Sequence, residues 1–69
     1  MNATHIAKDN ITISFGPDEL AFLSNAINEA MEAVEDWEFQ TRTGETPERA
    51  MEIQAQLGKF LEESQQAGD

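Results

Sequence analysis

The side chains able to do chemistry in this chain are few. It has no Cys and no Tyr, and His5 is its one histidine. Only His titrates near neutral pH without perturbation, and His5 lies close to the N-terminus, where it reads as an ordinary strand or surface residue. Ser14, Ser24 and Ser64 belong to no motif that pairs a hydroxyl with a base. One imidazole and no thiolate leave a zinc site short of ligands. The expectation is a protein with no catalytic residues, no bound metal and no cofactor.

Carboxylates are what remain. Fourteen Asp and Glu oppose four Lys and Arg, for a formal charge of −10. On a continuous helix Asp18, Glu29, Glu32 and Asp36 fall within about 60° of one another, opposite a Leu23/Val34 stripe. Like charges three or four residues apart repel by a few tenths of a kcal/mol, so this face gives up a little stability. Three readings follow: a docking surface for a basic protein, a Ca²⁺ or Mg²⁺ site, or a solvated face that keeps the chain soluble. Straight helical spacing lacks the glycine-bearing loop that wraps oxygens around calcium, so a divalent-metal protein or enzyme is the weakest of them. Arg42 joins the candidate partner-binding residues as a grip for a carboxylate; its plainer reading is an ion pair with Glu38 or Glu45.

The elements that position these groups can be read from periodicity. Ile11, Ile13 and Phe15 alternate with Thr12 and Ser14, the pattern of a half-buried strand. Lys8-Asp9-Asn10 has turn chemistry, so a short strand through His5, Ile6 and Ala7 can fold back as a hairpin. Its apolar face is expected near Leu20, Leu23 and the Phe60/Leu61 end of the last helix.

Pro17 at N1, with Asp18 and Glu19 behind it, starts a helix. Leu20, Leu23, Ile27, Ala30, Met31, Val34 and Trp37 form a stripe that widens to about 180° once Phe22, Ala26 and Ala33 are added. That is more than one neighbour needs. No Gly or Pro stops the helix before Gly44, and an end near Glu38 is preferred over one at Thr43. Large aromatics at Trp37 and Phe39 read as a plug between helices before they read as a binding box. Thr46 and Pro47 open the final helix, with Ala50, Ile53, Leu57, Phe60 and Leu61 on one stripe. Gly58 inside it is either tolerated or marks a close backbone approach.

The expected fold class is therefore α+β, mostly α, in a single domain over 1–69. A strand or hairpin region (4–15) precedes helix 1 (about 17–38), a loop (39–46) and helix 2 (about 47–66), which form an antiparallel helical hairpin. A chain this short hides only ~60% of its unfolded surface, and disulfides and zinc are excluded, so completion by homodimerisation is expected. Leu23, Ile27, Met31, Val34 and Trp37 are the candidate interface.

A charge of −10 opposes nucleic-acid binding, since bound phosphates must be neutralised by cations. No apolar run approaches the ~20 residues that cross a bilayer, and the N-terminus has no secretory apolar segment. The expected location is cytoplasmic, with no membrane partner.

Ile13-Ser14-Phe15, Leu23-Ser24-Asn25-Ala26-Ile27-Asn28-Glu29, Glu38-Phe39-Gln40-Thr41-Arg42-Thr43-Gly44 and Thr46-Pro47-Glu48 together resemble small uncharacterised bacterial proteins. Some of these are similar to immunity proteins encoded beside polymorphic toxins. The resemblance spans about residues 11–61 and implies a prokaryotic cytoplasmic protein; it brings no site residues with it. The functional expectation is an acidic protein-interaction module that neutralises or regulates a basic protein.

Overall fold

Asn2–Ala7 (β1) and Asn10–Ser14 (β2) pair as an antiparallel hairpin closed by Lys8 and Asp9, in a computed structural model that describes residues 1–67. β1 starts two residues before the expected strand region. Ile6 pairs with Ile11 and His5 with Thr12, then an irregularity at Thr4 shifts the register so that Ala3 opposes Ile13. Because opposed residues share a face, the extra residue keeps Ala3, Ile6, Ile11 and Ile13 together. The other face carries Asn2, His5, Asn10, Thr12 and Ser14.

Helix α1 (Pro17–Ala33) starts where Pro17 fits N1 and Glu19 turns back to accept from the Gly16 N–H at 2.8 Å. It ends sooner than expected. Val34 is extended (φ −112°, ψ 132°), and a separate helix α2 (Asp36–Thr43) fills most of the segment expected as a loop. The expected helix 1 of 17–38 and loop of 39–46 are thus corrected to two helices with a break at Val34–Glu35. Helix polarity supplies one reason. A continuous helix would place Glu32, Glu35 and Asp36 toward its negative C-terminal end. The break sets Asp36 and Glu38 in the first turn of α2, and Arg42 in its last, where the dipole favours each sign by about 0.3–1 kcal/mol. Gly44 then closes α2 in the left-handed conformation, φ 85°.

Helix α3 (Pro47–Gln66) begins at Thr46, whose hydroxyl accepts from the Arg49 N–H at 3.1 Å. It packs along α1, with Gln54 Nε2 donating to the Ser24 carbonyl at 3.2 Å. Phe39 of α2 is 3% exposed and Ala50 of α3 is 6% exposed; no other described residue is buried. Phe39 is therefore the expected plug. Trp37 is not: it stands 77% exposed on the outside of α2.

The hairpin departs furthest from expectation. No strand Cα lies within 8 Å of a helix Cα, and Ile6 is 73% exposed. Ile6 and Ile11 are therefore not carried onto Leu20, Leu23 or Phe60; Phe15, just past β2, does reach the start of α1, where it borders a recess with Phe22 and Leu23. The chain extends over 42 × 30 × 16 Å with a radius of gyration of 13.8 Å, against about 11 Å for a compact domain of this length. Its shortest dimension is little more than one helix diameter of ~10–12 Å. Phe39 and Ala50 are the whole of the enclosed core among the described residues.

Candidate functional site

A groove lies open along the seam where the three helices meet. Leu23, Ile27 and Ala30 of α1 form one wall, Ile53 and Leu57 of α3 the other, and Phe39 the floor. The groove encloses about 380 Å³ and is apolar throughout except at Thr43 and Glu45 on its rim. Thr43 Oγ1 donates to the Phe39 carbonyl at 2.7 Å and accepts from the Glu45 N–H at 3.3 Å, which satisfies the end of α2 beside the groove. A second recess of about 260 Å³ lies between Met1, Phe15, Phe22 and the start of α1. Leu23 lines both, and Asp18 and Glu19 border the second.

The candidate interface residues are divided among α1, the break after it and α2. Leu23 and Ile27 face the groove inside the protomer, Met31 and Val34 are half-buried, and Trp37 belongs to α2. The width of the α1 stripe was the signal for this groove: one helix meets both α2 and α3 with it. Ala26, Ala30 and Ala50 also line the groove, and small residues on an apolar stripe do not announce that role.

Asp18, Glu29 and Glu32 are exposed on α1, whereas Asp36 opens α2, so the expected four-residue face is corrected to three residues and a neighbour. Eleven residues separate Asp18 from Glu29, about 16 Å along the axis. Arg42 Nε binds Glu38 Oε2 at 2.6 Å, the ion pair expected from their spacing. Arg49 lies 3.7 Å from Glu45 and 3.0 Å from Glu52. Both arginines are thus engaged within the chain. The Glu19 carboxyl is held below its ordinary range, first by the Gly16 N–H and then by the N-terminal ammonium of Met1 at 3.0 Å.

Among the described residues, no group of three His, Asp or Glu is arranged to hold a metal ion, and no helix is long and apolar enough to cross a membrane. His5 stands exposed on the polar face of the hairpin, paired across the ladder with Thr12. No family model, curated protein or solved structure matches the chain.

Proposed function

We propose that the chain is a non-enzymatic, acidic protein-interaction module of the cytoplasm that binds a basic protein and neutralises or regulates it. The observation that carries this reading concerns Asp18, Glu29, Glu32 and Asp36. All four are exposed, and among the described residues none of them makes an ion pair. With both arginines engaged elsewhere, the outward field of α1 and the start of α2 is negative. Such a field raises the rate at which a cationic partner arrives and rejects acidic ones. The resemblance to immunity proteins supports a basic toxin as the partner.

The test uses Asp18→Asn, Glu29→Gln, Glu32→Gln and Asp36→Asn in one variant, which removes four charges at nearly constant shape. Proteins recovered from the native host on the wild-type chain are then measured against both forms at low and high salt. Association with the true partner is expected to slow several-fold in the variant. The wild-type rate should fall steeply with salt, because the Debye length shrinks from ~10 Å at 0.1 M to ~3 Å at 1 M. Equal rates for both proteins at both salt levels would show the acids to be a solvated face.

A further inference from the structure

The protomer exposes more surface than a chain of its mass needs to. Its accessible surface is 5549 Å² for 7.7 kDa, where a compact monomer of that mass exposes ~4,300 Å². The excess, about 1,200 Å², exceeds the ~800 Å² that each partner contributes to a standard interface. Two uncovered apolar surfaces stand out. One is the concave groove floored by Phe39. The other is the apolar face of the hairpin, with Ile6 and Ile11 uncovered and Ile13 partly so.

We infer that the occupant of the groove is the β-hairpin of a second copy of this chain, in a two-fold dimer where each protomer lays its ribbon into the other's groove. The dimensions agree. Five strand residues reach about 17 Å, and two paired strands lie about 4.8 Å apart, a ribbon suited to a groove between helices whose axes run about 8–10 Å apart. Charge points to the same element. Asn2–Ser14 contains only Lys8 and Asp9 and is formally neutral, so the whole −10 resides in the rest of the chain. The hairpin is therefore the part of one copy that can approach the acidic helices of another without like-charge repulsion. A two-stranded ribbon is also marginal in water until something covers its apolar face, and a second copy covers ribbon and groove at once. Self-complementary exchange of one patch for another is what a two-fold axis permits. The inference is independent of the basic partner: Glu29 and Glu32 lie away from the groove and stay exposed in such a dimer.

The chain has no cysteine, so single cysteines report the contact cleanly. Sedimentation of the wild type at micromolar concentration is expected to give twice the chain mass. Ile11→Cys and Ala30→Cys are made as separate proteins, mixed, and treated with a short bismaleimide. Covalent dimer is expected chiefly between the two different variants, and little from Ile11→Cys alone. The double variant Ile6→Thr/Ile11→Thr, which retains β-branched strand formers, is expected to lose the dimer. A folded wild-type monomer would overturn the inference, as would monomer-mass closure of an Ile11→Cys/Ala30→Cys chain, which places the hairpin in its own groove. A dimer cross-linked mainly through Ile11→Cys to itself would overturn it too, since that reports hairpins paired edge to edge.

Discussion

Replacing Phe39 with Ala tests whether one side chain holds the three helices together. Phe39 is 3% exposed and is the only large side chain buried among the described residues. Phenylalanines bury about 150–250 Å², and Phe→Ala in enclosed cores costs about 3–5 kcal/mol. Here the groove above the ring is open, so neighbours relax and water enters, which places the loss near 3 kcal/mol. A core of this size supplies about 3–5 kcal/mol in all, so Phe39→Ala should abolish cooperative unfolding at 25 °C. Phe39→Leu keeps most of the volume and should lose under about 1.5 kcal/mol. Urea titration followed by far-UV circular dichroism reads this, at matched protein concentration because association would stabilise the fold by mass action. Trp37 fluorescence is a poor substitute, since Trp37 is already in water. A Phe39→Ala protein that unfolds cooperatively within about 1 kcal/mol of wild type would refute the claim that Phe39 organises the core.

Further expectations concern the backbone and the helix ends. Gly44→Ala should destabilise by about 1–2 kcal/mol, entirely through its φ of 85°, because an added Cβ there meets nothing within 4 Å. Gly58→Ala should stabilise by about 0.5–1 kcal/mol, since its Cβ also enters open space in mid-helix; the two variants should move the melting temperature in opposite directions. Thr46→Ala removes the 3.1 Å cap on the Arg49 N–H and should cost about 1 kcal/mol in a urea titration. Glu19 has a carboxyl held below its usual 4.5, so it adds stability that is present above that pH and is lost as pH falls through the lowered folded value. Wild type should therefore exceed Glu19→Gln in melting temperature at neutral pH and converge with it in strong acid.

The starts of β2, α1 and α3 were legible because each is written in a few adjacent residues. Ile11 and Ile13 alternate with Thr12, Pro17 opens α1, and Thr46-Pro47 opens α3 as expected. The Arg42–Glu38 pair was legible for the same reason, being one helical turn apart. Gly58 resolves to the plainer of its two readings, with no neighbouring backbone near it. The end of α1 was not legible. Val34-Glu35-Asp36 contains no breaker, and the dipole preference of each acid is worth at most about 1 kcal/mol. Wheel arithmetic on a continuous helix then carried Asp36 and Trp37 onto faces that the break removes.

What the sequence determined by itself is the class of the protein: strands first, helices after, one domain, an acidic surface and too little core for comfort. These follow from composition and from interactions within about four residues. Tertiary structure decided where α1 breaks, that Phe39 rather than Trp37 is covered, and that the hairpin stands off the helices. Those outcomes depend on burial, which is set by where distant segments meet. Covering one aromatic ring outweighs several local preferences of tenths of a kcal/mol.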